Sequence, residues 1–296
     1  SLKFTTIFFM KIARNKISII ITSYNRYNIL KKNLEYLMKV STIQDCNIII
    51  VQQDIDQKFD NLFKKIKHNK VYIIKTKHPK KYNPHRKMIL NGVKGLKFAF
   101  ENLKSDICFY VEDDIALSGD AIKFGSSIIE KYKYDDNFFG VNFFSKMKYD
   151  KKKLKLYSKF IYGIGKGWGV EKRRWLLIKK LLNKNFIYSI DAPLYDWPLE
   201  KYIKENLNYV VMPINSRSFE IPSDGVNVNI RDNQKYFKKM RASFVGTKSL
   251  NLDYKYTLFH KYEWRKDCIK YKGQIIHKIY RLLKSTIKLI LKKYVL

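Results

Sequence analysis

Acidic residues are scarce in this chain: 26 Asp and Glu stand against 60 Lys and Arg in 296 residues, a formal net charge of +34. Cysteine is scarcer still. Cys46, Cys108 and Cys268 are odd in number and show no metal-like spacing, which excludes a disulfide scaffold and predicts a reduced, cytosolic protein. No apolar run approaches the roughly 18 residues of a transmembrane helix. The apolar stretch 4–9 is too short for a secretory signal and runs straight into basic residues. The first residue is Ser and not Met, which leaves open both an upstream segment and a cloning remnant. Neither a Pro/Ser-rich linker nor an internal repeat divides the chain, so the expectation is one continuous domain over 1–267, followed by an appendage over 268–296.

What is present suffices for a core. With 46% hydrophobic and 15% aromatic residues, global disorder is excluded despite the charge. A pI near 9.9 calls for an anionic partner, but nucleic acid, an anionic membrane and a phosphorylated substrate all satisfy it.

The first 115 residues alternate regularly. Apolar, β-branched runs at 17–22, 47–51, 71–74 and 107–111 read as buried strands. Between them, apolar spacing predicts helices from Ile29 to Met38, with Asn28 as N-cap, at about 58–67, and at about 87–103. Such alternation predicts a doubly wound α/β fold with a mostly parallel sheet. Ligands of such sheets bind outside the carboxyl ends of the strands, where the polar clusters Ser23 to Arg26, Gln52 to Asp54 and Glu112 to Asp114 fall. The later half is less regular, with strands near 137–144 and 209–214, a Gly-rich turn at 163–169 and a helix at 171–183.

Glu112, Asp113 and Asp114 are the most informative residues, because three carboxylates follow directly on an apolar strand in a basic chain. A hard cation such as Mn²⁺ or Mg²⁺ relieves their repulsion, taking one or two carboxylates plus diphosphate oxygens. The alternative is a solvated turn in which the acids pair with Lys and Arg.

Further motifs follow in order. Ile49-Ile50-Val51-Gln52-Gln53-Asp54, Pro84-His85-Arg86-Lys87, Val111-Glu112-Asp113-Asp114, Gly163-Ile164-Gly165-Lys166-Gly167-Trp168, Tyr195-Asp196-Trp197, and Arg217-Ser218-Phe219 with Asp224-Gly225-Val226 span about Ile17 to Asn229. The set resembles the N-acetylglucosaminyltransferase I family (glycosyltransferase family 13) of GT-A glycosyltransferases. The resemblance implies a GT-A fold, with a nucleotide-binding half over about 15–116 and an acceptor half over about 117–250. It also implies an inverting transfer of GlcNAc or a related hexose from a UDP-sugar to a glycan. By position, Asp114 resembles the metal ligand, and Glu112 and Asp113 the contacts to the nucleoside. Ser23, Asn25, Arg26 and Asp54 match the nucleotide pocket, and Asp196 the general base. The segment from Arg217 to Val226 resembles a lid that orders over the donor. Two departures stand out: Tyr195 replaces an acid usual before the tryptophan, and Lys166 interrupts the Gly-rich strip.

Chemistry asks for these residue types. Departing diphosphate must be neutralised, which suits a metal at Asp114 and cationic donors such as Arg26, Lys80, Lys81, Arg86 and Lys87. An attacking hydroxyl must lose a proton, which suits Asp196, with Asp191 as rival base or helix N-cap. Four of the twelve glycines fall within 163–169, where bare backbone admits a sugar ring against Gly167, Trp168 and Trp197; the alternative is a tight turn with Trp168 in the core.

The tail from Cys268 to Leu296 holds eight Lys or Arg and no acid. Lys278, Arg281, Lys284, Lys288 and Lys292 face one way at helical spacing, with Ile275, Ile279, Leu283, Ile287 and Ile290 on the other side, so an amphipathic helix on an anionic membrane surface is expected. The alternative is a helix docked on the catalytic domain. The sequence thus predicts a metal-dependent transferase, peripheral on the inner face of a membrane, using a lipid-linked or lipooligosaccharide acceptor. Two other classes stay open: a basic nucleic-acid-binding protein, although no nucleic-acid module is recognised, and a membrane adaptor with a degenerate transferase domain.

Overall fold

The computed structural model describes residues 15–53, 57–145, 149–161, 163–182, 196–222, 244–246 and 257–258. Asp54, Asp191, Tyr195, Asp224 to Val226, Cys268 and the 268–296 tail lie outside the described residues.

The first half follows the expected alternation. Strands β1 (Ile17–Tyr24), β2 (Asn47–Gln53), β3 (Val71–Thr76) and β4 (Ile107–Glu112) are joined through helices α1 (Tyr27–Leu37), α2 (Gln57–Lys64) and α3 (Pro84–Lys97). Each strand runs a residue or two further than its apolar run, because Ser23, Gln52 and Gln53 are themselves buried. Helix α3 begins earlier than expected: Asn83 Oδ1 accepts from Arg86 N at 2.8 Å and Pro84 fills the first turn. Its expected last turn is π-helical, over Phe98–Asn102.

The N-cap of α1 is a correction. Asn28 lies inside the helix, and Arg26 holds the cap position without a side-chain cap bond. Burial compensates, since Leu30, Leu34 and Leu37 are enclosed and each contributes roughly 1.5–3 kcal/mol, more than the roughly 1 kcal/mol of a cap.

The second half adds β5 (Ile115–Leu117), α4 (Ala121–Tyr132), β6 (Phe138–Asn142), β7 (Leu156–Phe160), β8 (Trp168–Glu171), α5 (Trp175–Leu181), α6 (Asp196–Glu205), β9 (Tyr209–Pro213), β10 (Ser218–Glu220) and β11 (Thr257–Leu258). Nine strands form one mostly parallel sheet in the order β11-β7-β9-β6-β8-β4-β1-β2-β3, and β5 pairs with β10 in a small second sheet. Alternate residues of β1 and β2 feed opposite faces. Ile19, Ile21, Ile48 and Ile50 pack under α1, α2 and α4, while Ile20, Ile49 and Val51 pack under α3, α5 and α6. The protein is thus a mixed α/β fold with helices on both faces of its sheet.

The last two residues of the Gly-rich segment are not turn. Trp168–Glu171 is β8, inserted antiparallel between β4 and β6. Gly169 permits this insertion, because a Cβ there would stand 2.2 Å from Phe109 Cδ1. Cys46 and Cys108 are buried free thiols. No helix among the described residues is long and apolar enough to cross a membrane.

Candidate active site

Strand order alone points to one crevice. From β1 the chain winds outward through β2 and β3, then returns to place β4 on the other side of β1, so the direction of winding reverses between β1 and β4. Open α/β sheets bind ligands at such a reversal, outside the carboxyl ends of the two strands. Thr22 pairs with Glu112 in the β1–β4 register, so Ser23 to Arg26 and Glu112 to Asp114 emerge side by side.

Polar contacts join the two strand ends. Ser23 Oγ donates to Asp113 Oδ2 at 2.8 Å, and Asp113 N donates to the Thr22 carbonyl at 3.0 Å. Arg26 donates from Nε to Asp113 Oδ2 at 3.3 Å, from Nη2 to Asp113 Oδ1, and from Nη1 to Asp114 Oδ2 at 2.9 Å. Asn25, with φ of +42°, makes the left-handed corner that turns the chain from β1 into α1 and aims Arg26 back over the acids.

From below, buried Asn33 of α1 donates Nδ2 to the carbonyls of Glu112 at 3.1 Å and Ile115 at 2.8 Å, clamping the acidic turn. On the far side, Glu220 pairs with Ile115 in the β5–β10 ladder, and Ile221 N donates to the Asp114 carbonyl at 2.6 Å. Sequence reasoning missed both Asn33 and Glu220. Asn33 carries no signal beyond being polar on an apolar helix face, and Glu220 reaches the site only through an antiparallel pairing distant in sequence.

One guanidinium does not balance three acids. Burial, then the charges of Asp114 and Asp113, push the Glu112 carboxyl up to about 8, with Arg26 pulling the other way. Asp113 is pushed up to about 6 by burial, against the opposing pull of Arg26. For Arg26 itself burial disfavours the charge, but Asp113 and Asp114 outweigh it and raise its pKa further. Near neutral pH Glu112 is therefore largely protonated, and a further cation in the crevice would favour its ionised form.

Among the described residues no three His, Cys, Asp or Glu side chains are grouped to hold a metal ion. The acidic turn instead offers carboxylate oxygens of the kind that a hard divalent cation takes one or two at a time, completing its shell with other oxygens.

Other expected residues are distributed differently. Trp168 is 1% exposed, packed 5.5 Å from the Tyr110 ring, so it is a core residue and not a sugar platform. Gly167, at φ +92°, is a tight-turn residue whose Cβ position is closed off by Phe143, Val111 and Ile115. Asp196 and Trp197 are the first two residues of α6, and their side chains lie outside what is described. That helix is tied to the Gly-rich strip, where Glu200 Oε1 accepts from Gly163 N at 2.9 Å. Arg86 stacks over Tyr82 at 4.9 Å, at the start of α3.

The expected lid is also corrected in its first part. Arg217 is fully buried, and Ser218–Glu220 is a paired strand, so 217–221 is fixed structure. Arg217 bonds Asp120 at 3.3 Å and the Asn215 carbonyl at 2.7 Å, and lies over the Phe124 ring.

No family model and no curated protein matches this chain. Among solved structures, the arrangement is similar to S. aureus TarS 1–349, with 13% identity and a TM-score of 0.47, over 77% of this chain and 64% of that one. It is similar to a longer S. aureus TarS structure, with 14% identity and a TM-score of 0.48, over 77% and 39%. It is similar as well to the Pyrobaculum calidifontis mannosyltransferase PcManGT in complex with GDP-Man and Mn²⁺, with 9% identity and a TM-score of 0.47, over 78% and 63%. The chain spans less than two thirds of the length of each.

Proposed function

We propose that this chain is a GT-A glycosyltransferase that moves GlcNAc or a related hexose from a UDP-sugar to a glycan acceptor with inversion. The observation that carries this reading is the acidic turn Glu112 to Asp114, held with Ser23 and Arg26 at the winding reversal between β1 and β4. A carboxylate cluster beside a guanidinium at the strand ends suits a nucleoside diphosphate bridged to the protein by a divalent cation.

Asp114 would hold Mn²⁺ or Mg²⁺, and a cation bound there neutralises charge developing on the leaving diphosphate. Arg26 donates to the same phosphates, giving charge-assisted hydrogen bonds in place of those it makes to Asp113 and Asp114. Glu112, Asp113, Asn25 and Asp54 take the nucleoside. Asp196 accepts the proton of the attacking acceptor hydroxyl from the face opposite the leaving group.

An acceptor that is lipid-linked or a lipooligosaccharide agrees with the basic, acid-free 268–296 segment, whose amphipathic pattern suits the inner face of an anionic membrane.

The test is a thermal-shift panel of UDP-, GDP- and CMP-sugars with and without Mn²⁺, because a ligand that binds only the native state raises stability by mass action. Stabilisation by a UDP-sugar with Mn²⁺ supports the reading. A response to a GDP- or CMP-sugar alone overturns the donor, and no response to any nucleotide sugar overturns the transferase.

A further inference from the structure

Within the Gly-rich strip, Lys166 is out of keeping with its backbone. It adopts φ of +50°, while Gly163 and Gly167 on either side take +103° and +92°. Glycine reaches such angles at no steric cost, whereas a lysine there is strained, and strain of this kind persists where surrounding contacts enforce it. Two contacts do so. Ser218 Oγ donates to the Lys166 carbonyl at 2.6 Å, and the ammonium sits 2.8 Å from Glu220 Oε2.

The position is one where a cation matters. The carboxylate that holds the Lys166 ammonium belongs to Glu220, and the next residue, Ile221, donates its N–H to the Asp114 carbonyl of the acidic turn. Gly167 packs against Val111 and Ile115, and Glu220 is the ladder partner of Ile115. Since β4 has β1 on one side and β8 on the other, the acidic turn is flanked by Arg26 from the first and Lys166 from the second. The Lys166 side chain remains 34% exposed, with its ammonium against Glu220 and 5.3 Å from the centre of the Phe144 ring, so it is held without being enclosed.

We propose that Lys166 is a second phosphate anchor: when donor binds, its ammonium leaves Glu220 for an oxygen of the nucleoside diphosphate, so that Arg26 and Lys166 grip the leaving group from both sides of β4. This rests on the transferase reading and adds to it a residue that the family resemblance counts as a departure. The exchange makes and breaks no covalent bond. Its role is to bring to the diphosphate a flexible charge that Glu220 otherwise holds.

Three variants of the full chain test it, by calorimetric binding of UDP with Mn²⁺ alongside thermal unfolding. Lys166→Gly removes both the charge and the strain. It should melt at or above the wild-type temperature while binding UDP about tenfold more weakly, the loss of one charge-assisted hydrogen bond. Lys166→Arg should restore affinity to within about threefold of wild type. Glu220→Gln, which removes the competing carboxylate, should tighten UDP binding about threefold. A purely structural ion pair gives the opposite pattern: a lower melting temperature for Lys166→Gly with UDP affinity unchanged, and no gain for Glu220→Gln. That result overturns the proposal while the transferase reading stands. If wild-type protein binds no UDP, GDP or CDP, the transferase reading fails, and this anchor with it.

Discussion

Arg26 Nη1 lies 2.9 Å from Asp114 Oδ2, joining the corner after β1 to the turn after β4 across 88 residues of sequence. On the proposed reading the guanidinium occupies the place of a metal at Asp114, so it would compete with free metal and cooperate with phosphate. Arg26→Gln should therefore act with opposite signs. Stabilisation by MnCl₂ alone should increase, while UDP affinity measured by calorimetry should fall about tenfold. Changes of the same sign would show that Arg26 plays only one of the two parts.

Asp114→Asn keeps the shape of the side chain and removes its charge. The variant should retain wild-type circular dichroism yet lose the Mn²⁺-dependent part of its UDP stabilisation, with turnover reduced about 10²-fold or more. Metal-dependent UDP binding that survives the change would move the metal ligand elsewhere.

Asp196 opens α6, the helix that Glu200 ties to Gly163. If it is the general base, Asp196→Asn should cut kcat by about 10²–10⁴-fold with donor binding intact, whereas Asp191→Asn should stay within a few-fold of wild type. Equal losses for both, or a greater loss at Asp191, would reverse the assignment.

Burial, reinforced by Asp45, pushes the Cys46 thiol up to about 12, and burial alone raises Cys108. A thiol whose folded pKa is raised adds stability that is complete below its unfolded value near 9 and drains away as pH climbs towards 12. At pH 8 both thiols are protonated and enclosed. Ellman's reagent should then modify no more than one of the three cysteines in native protein and all three in denaturant. Rapid native reaction of two would contradict the burial.

Arg217 and Asp120 are both wholly buried, 3.3 Å apart. Removing one partner leaves an uncompensated interior charge, so Arg217→Met should cost about 3–5 kcal/mol in urea unfolding. Adding Asp120→Leu should recover much of that loss, because the orphaned carboxylate goes with it. A small effect of the single change would mean that this segment opens in solution.

The first half of the sheet was legible because its strands are short apolar, β-branched runs, and such runs need no knowledge of their neighbours. The acidic turn was legible for a related reason: Glu112, Asp113 and Asp114 are conspicuous against the basic excess. What escaped was set by contacts distant in sequence. Trp168 looked available because glycines surround it, but those glycines let β8 close against Phe109 and bury it. Arg217 looked like a loop residue because it is charged, but Asp120, 97 residues earlier, makes its burial possible. Lys166 looked like an interruption of a motif. Only the pairing of β5 with β10 brought Glu220 beside it.

Strand β8 has one more consequence, for any attempt to cut the protein in two. It is hydrogen-bonded to β4 on one side and to β6 on the other, so the parts of the chain before and after residue 116 share a continuous backbone seam and not a surface contact. A fragment ending near residue 116 would keep β1 to β4 and lose β8, one of the two partners of β4. Ile107 to Tyr110, at most 2% exposed in the intact chain, would then form a bare apolar edge inviting intermolecular pairing. The two parts are thus indivisible as physical objects, and the fragment would aggregate before it could be studied alone.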